Sequence, residues 1–225
     1  MNKFIKISLL LITFLTPFLI ITSAMRIALS PIFYTVEYNL PDFPADTYGF
    51  TKQDRLNWAN LSINYLLGSV SDDEFSALQF ADGTPLFNDL EISHMVDVRD
   101  LTVGMLLIWR ILVAIFLIAI YLGWKYKWLR AITFALGNGA KITFAIILTI
   151  LIFVWLDFNQ LFTVFHQIFF EGDSWLFYLS DSLIRLFPIK FWQDLFIFIG
   201  GFCVLVSSLL LFLSKKYGNK VKAQK

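Results

Sequence analysis

Apolar residues along this chain gather into four runs, each close to the ~20 residues at ~1.5 Å apiece needed to cross a hydrocarbon core. They cover about residues 5–25, 101–124, 142–160 and 195–213. Between the first two runs the pattern changes. Leu56, Ala59, Ile63, Leu66 and Leu67 recur at helical spacing behind Thr51, with Asp54 three positions on and Gly68 at the end. This predicts an amphipathic helix with an N-cap and a glycine stop. Ser71 to Phe80 predicts a second short helix, capped by Ser71 and carrying Asp72, Asp73 and Glu74 in its first turn. The stretch YNLPDFPADTYGF reads as an extended, turn-rich entry, DGTPLFND as a turn, and the chain from Asp89 onward as a helix leading into the second run. The fold class is therefore an all-α membrane protein: four transmembrane helices with a small helical cap built by residues 26–100. Residues 161–193 form a second external segment, apolar and aromatic throughout, and the whole of 1–225 reads as one membrane domain.

Composition agrees, with 58% apolar and only 16% charged residues, which excludes an ordinary soluble domain and gives no basic footprint for nucleic acid. Charge distribution sets the orientation. Lys3 and Lys6 precede the first run, Lys125, Lys127, Arg130 and Lys141 lie between the second and third, and Lys215, Lys216, Lys220, Lys222 and Lys225 follow the fourth. Residues 26–100 carry four basic against twelve acidic side chains. Both termini are expected in the cytoplasm, and the cap and residues 161–193 outside. The first run has the basic start and small residues of a signal peptide, but its apolar stretch is long for one, and it reads as a retained anchor. Cys203, the single cysteine, lies inside an apolar run and reads as a packing residue.

The only two histidines, His94 and His166, fall in EISHMVDVRDL and VFHQIFFEGDSW, both where runs emerge on the outer side. Histidine alone has an unperturbed pKa suited to giving or taking a proton near neutrality. A pair at matched depth at a lipid–water boundary points to acid–base chemistry on a lipid-borne substrate. Asp97, three positions after His94, is placed to orient its imidazole. Phe169, Phe170 and Trp175 would wall a water-poor pocket, although aromatic belts are also ordinary at interfaces. Arg26, at the outer end of the first run, is a candidate holder of a lipid phosphate or of substrate backbone, or a plain flanking residue. Arg110 and Asp157 both lie about 22–24 Å above the inner edge, which predicts an ion pair between the second and third spans. No metal site is expected, because zinc usually needs three or four protein ligands and no HExxH or CxxC spacing occurs. No cofactor is expected either. Ser93 and Ser174 lack the surroundings of a nucleophile.

With YGFTKQDRLNWANLSINYL in the cap, SHMVDV before the second span, and FHQIFFEGDSWLF then DSLIRLFPIKFW after the third, the sequence resembles the lipoprotein intramolecular transacylase family, Lit. The resemblance runs over about residues 1–210 and implies a four-span enzyme of the bacterial cytoplasmic membrane. It implies that His94 and His166 match the family's catalytic pair. It also implies the substrate, a lipoprotein whose N-terminal cysteine carries a diacylglyceryl group, and the reaction, movement of the sn-2 acyl chain onto the cysteine amine. His166 is then expected as the base toward the amine and His94 as donor to the oxyanion or leaving oxygen. The reverse division stays open. A non-enzymatic scaffold or binding protein, and an interfacial acyl hydrolase, are the alternatives. The partners expected are the lipid-modified lipoprotein N-terminus and membrane lipids. Oligomeric state is not legible.

Overall fold

Cap chemistry fixes the first extramembrane helices. In the computed structural model, which describes residues 3–218, Thr51 and Asp54 exchange side-chain and backbone bonds at the start of one helix, and Ser71 and Glu74 do so at the next. Each box satisfies N–H groups that a helix start leaves without partners. In chain order the helices are α1 (Lys3–Ala28), α2 (Pro31–Glu37), α3 (Lys52–Leu66), α4 (Asp72–Ser76), α5 (Asp89–Lys125), α6 (Leu129–Leu156), α7 (Phe158–Phe169), α8 (Ser182–Leu186) and α9 (Ile189–Leu213), followed by a π-helical turn at Ser214–Gly218. Lys220, Lys222 and Lys225 of the basic tail lie outside the described residues. Gly68, at φ +77°, ends α3 in the left-handed conformation that favours glycine. α4 is shorter than the pattern predicts. Residues beyond it turn back on themselves instead, with Leu86 N–H donating to Leu78 O at 2.8 Å and Phe80 N–H to Thr84 O at 2.9 Å.

Among the described residues, four helices are long and apolar enough to cross a membrane: Lys3–Ala28, Asp89–Lys125, Leu129–Leu156 and Ile189–Tyr217. The third differs from expectation at both ends. It begins before Arg130 and ends at Leu156, because Asp157 interrupts the helix and becomes the N-cap of α7, accepting from Gln160 N–H at 3.0 Å. That role replaces the expected Arg110–Asp157 ion pair, which does not occur among the described residues. Depth counted along a straight helix fails once the helix breaks at the counted residue.

The chain divides into two compact units. One comprises residues 1–26, 106–152 and 197–225, and the other residues 27–105 and 153–196. In the first, Ile12, Phe116, Ile132 and Ala135 form one apolar cluster, and Ile20, Ala24, Ile147 and Cys203 another. Polar bonds tie its helices together: Thr13 Oγ1 donates to Ala135 O at 3.1 Å, and Trp109 Nε1 to Ser23 Oγ at 3.1 Å. Phe14, Phe18, Leu107, Ile111, Leu117 and Leu205 stand on its outer surface, an apolar exterior suited to lipid.

In the second unit, Tyr65, Phe75 and Phe87 stack in sequence, with ring centroids 4.1 and 4.9 Å apart. Buried Asp46 organises the entry segment by accepting from Phe50 N–H at 2.6 Å and pairing with Arg185 at 3.1 Å. Tyr38 Oη donates to Leu186 O at 2.8 Å, and Tyr34 Oη to Asn60 Oδ1 at 2.8 Å, so α2 is held to both α8 and α3. These ties fix the frame in which the two histidines stand.

Candidate active site

His94 lies in the first two turns of α5, His166 in the last turn of α7, and both belong to the second compact unit. Each is buried, 8% and 7% exposed. Their rings lie nearly parallel, with centroids 6.1 Å apart and planes 23° from each other, close enough for one bound group to reach both.

Aromatic rings enclose the pair. Phe170 sits against both, at 4.8 Å from His94 and 5.5 Å from His166. Phe177 meets the His94 ring edge-on at 5.4 Å. Phe162 and Trp175 cover His166 at 4.1 and 4.8 Å. Trp175 is itself fixed through Nε1–H, which donates to Gly172 O at 3.1 Å.

The two imidazoles differ in their bonding. His166 Nδ1 lies 2.8 Å from Phe162 O, one turn earlier on α7. A carbonyl oxygen only accepts, so Nδ1 carries the hydrogen and Nε2 keeps its lone pair. Burial lowers the His166 pKa from its ordinary 6.5, against the smaller raising effect of the Phe162 bond. His94 Nδ1 is buried with no hydrogen-bond partner among the described residues. A buried polar atom left so is costly, and it is the atom that a bound substrate would satisfy.

Some expected supports stand elsewhere. Asp97 is exposed and does not bond His94. Phe169 is half exposed and stacks on Phe165 at 4.9 Å, while its neighbour Phe170 turns inward. Arg26 lies in the last turn of α1 without an ion pair among the described residues. Phe170 and Trp175 both lie against histidine rings.

Two contributors escaped the sequence reading. Phe177 was one aromatic among many. Glu91, one turn before His94, is buried and accepts from Leu183 N–H at 2.7 Å and Asn88 N–H at 2.8 Å. It thereby pins the start of α8 to α5 beside the site. An acidic residue three after Asn88 at a helix start was the available signal.

Comparison with known proteins places these features. The sequence pattern of the family described as lipoprotein intramolecular transacylase Lit matches residues 9–192. An uncharacterised protein of Aquifex aeolicus (strain VF5) is 29% identical over 215 residues, covering 94% of this chain and 96% of its own. The in meso structure of the membrane integral lipoprotein intramolecular transacylase Lit from Bacillus cereus shares the fold, with a TM-score of 0.76 at 21% identity over 97% of this chain and 98% of that one. A variant of the same protein with a histidine replaced by arginine gives a TM-score of 0.69 at 21% identity, over 98% and 94% of the two chains.

Proposed function

The chain belongs to the lipoprotein intramolecular transacylase family, and from that membership we propose that it moves the sn-2 acyl chain of a diacylglyceryl-modified lipoprotein onto that lipoprotein's own N-terminal cysteine amine. It is a multi-pass membrane acyltransferase. The product is an N-acylated lyso-form lipoprotein. The paired, buried histidines inside an aromatic wall carry this reading.

Both reacting groups reside on one molecule, so the site's first task is to fold the substrate back on itself. Holding ester and amine in a near-attack arrangement can supply about 7–11 kcal/mol in favourable cases. A free α-amine has a pKa near ~8 and must lose a proton to attack. Nε2 of His166, its lone pair free because Nδ1–H is bound to Phe162 O, takes the proton that the amine sheds as the C–N bond forms. The ester C–O bond then breaks, the proton held on His166 passes to the departing glyceryl oxygen, and His94 as a neutral imidazole donates a hydrogen bond to the oxyanion. One proton is taken and one given, and no group changes oxidation state. The pair returns to its starting state.

Water must be kept from the acyl carbon throughout, or ester hydrolysis competes. Phe162, Phe170, Trp175 and Phe177 supply that exclusion, which favours transfer over hydrolysis. The basic residues Lys3, Lys6, Lys125, Lys127, Lys215 and Lys216 support cytoplasmic termini and an external site.

Mass spectrometry of a reporter lipoprotein's N-terminal peptide tests the reading in cells lacking apolipoprotein N-acyltransferase. The expected product is N-acyl, S-monoacylglyceryl cysteine with the wild-type chain and none with His94→Ala or His166→Ala. Unchanged diacylglyceryl cysteine, with the protein inserted, overturns it.

A further inference from the structure

A cavity of about 220 Å³ opens in the second unit away from the histidines, lined in part by Tyr38, Phe43, Pro44, Phe50, Lys52 and Arg55. It lies within residues 38–55, the entry segment and the first turn of α3. Its charge balance is incomplete. Asp46, the one carboxylate at its wall, is already engaged by Arg185 at 3.1 Å and by Phe50 N–H at 2.6 Å, and stands 4.0 Å from Arg55. Arg55 has a side chain only 7% exposed and gives one nitrogen to Pro44 O, yet its Nε is buried with no acceptor. Lys52 rests on a neutral oxygen, Asn39 Oδ1, at 2.8 Å. Two cations thus line a cavity whose anion is already engaged, and the Arg55 guanidinium in its wall keeps one buried donor without an acceptor. Such an arrangement takes a second anion.

The size and surroundings narrow the choice. Drug-sized ligands occupy roughly 300–1,000 Å³, so this cavity holds a group no larger than a lipid headgroup. α2, which delivers the chain into the cavity at Tyr38, exposes Ile32 at 73% and Val36 at 56%, one turn apart on one face. Leu40 and Tyr48, within the cavity's own segment, are exposed too. An apolar edge of this kind next to an arginine and a lysine is the pattern of a helix lying at a bilayer surface. We propose that the Arg55–Lys52 cavity binds the phosphate of an anionic phospholipid headgroup, with the exposed face of α2 seated among the acyl chains beside it. Phe43, whose ring lies 5.4 Å from the Arg55 guanidinium, and Phe50 would flank the glycerol carbons. The inference does not depend on the chemistry at the histidines.

The test uses the full-length protein in a zwitterionic detergent, titrated with short-chain phosphatidylglycerol below its micelle concentration while the thermal midpoint is followed. Saturable stabilisation is expected, with half-saturation about tenfold weaker in Lys52→Gln and in Arg55→Lys, the latter keeping the charge and removing the Nε donor. If Arg55→Lys does not fold, the exposed Lys52→Gln decides alone. Equal stabilisation by short-chain phosphatidylcholine overturns the proposal, as does inorganic phosphate acting alone at the same concentration. Tighter binding of a soluble glutamate hexapeptide would assign the cavity to a peptide and also overturn it. A photoactivatable phosphatidylglycerol is expected to label residues 38–55, and labelling confined elsewhere rejects the site.

Discussion

Nδ1 of His166 points at Phe162 O, 2.8 Å away and one turn back along the same helix. That bond fixes the tautomer before any substrate arrives, leaving Nε2 as the basic atom. Burial acts on the same ring, lowering its pKa from 6.5. A lowered value keeps the base unprotonated at neutral pH, and it weakens the base somewhat. The kcat/KM profile for acyl transfer is therefore expected to rise with unit slope up to about pH 8, where the substrate amine is freed of its proton, and to steepen below pH 6.5, where His166 takes one up. Single-turnover rates on a synthetic diacylglyceryl peptide between pH 5 and 9 check this. A profile that keeps unit slope down to pH 5, or that steepens already above 6.5, would remove His166 from the role of base.

Phe170 touches both imidazoles and is nearly buried, so it is the ring whose loss opens the pair to water. Phe170→Ala is expected to slow acyl transfer by roughly tenfold and to divert part of the acyl group to free fatty acid. The two products are separable by mass, and their ratio is the readout. A variant that slows without releasing fatty acid would mean that Phe170 positions the substrate but does not exclude water.

What the sequence disclosed divides along a physical line. The capping boxes at Thr51 and Ser71, the stop at Gly68 and the four apolar runs are local signals, decided within a few residues or by length alone. The early start of α6 is not local. Gly137-Asn138-Gly139 resembles a break, yet a Cβ at Gly137 would lie 2.3 Å from Ser214 Oγ, and one at Gly139 2.4 Å from Thr16 Cβ. Those glycines are there for close helix approach, which a single chain pattern does not separate from a turn. The histidines were legible because they are two in number and matched in position. Part of their wall was not, because Phe162 and Phe177 are picked out from 25 phenylalanines only by tertiary packing. Asp97 shares a helix face with His94 by spacing, yet its carboxylate is exposed, and spacing alone does not make a bond.

Glu91 is buried one turn before His94, with each carboxylate oxygen accepting a backbone N–H, from Leu183 at 2.7 Å and from Asn88 at 2.8 Å. Glu91→Ala leaves both donors without a partner, which costs about 1–3 kcal/mol for each. The thermal midpoint in detergent is expected to fall by several degrees. Glu91→Gln keeps one accepting oxygen and is expected to lose less. Equal stability of all three proteins would show that water replaces the carboxylate freely and that α8 is not held by it.

Glu37, the last residue of α2, is buried with Oε1 unpartnered. Burial first, then the hydrogen bond and negative charge of Asp194, push its pKa from 4.5 up to about 8, with Asp42 adding slightly and Lys190 opposing. The folded chain thus holds a proton that the unfolded chain releases above pH 4.5. The stability from that proton is fully present below pH 4.5 and is lost as pH rises through about 8. His166 works the other way, since its lowered pKa costs stability only as pH falls below 6.5. The interval from pH 7 to 9 therefore isolates Glu37 from the histidine. Across it the wild-type thermal midpoint is expected to fall, while Glu37→Gln, whose amide donates to Asp194 at every pH, stays level. Parallel curves for the two proteins would show that Glu37 does not carry the proton. In that event the negative charges of Glu37 and Asp194 must be met together by Lys190, which already pairs with both Asp194 and Asp42.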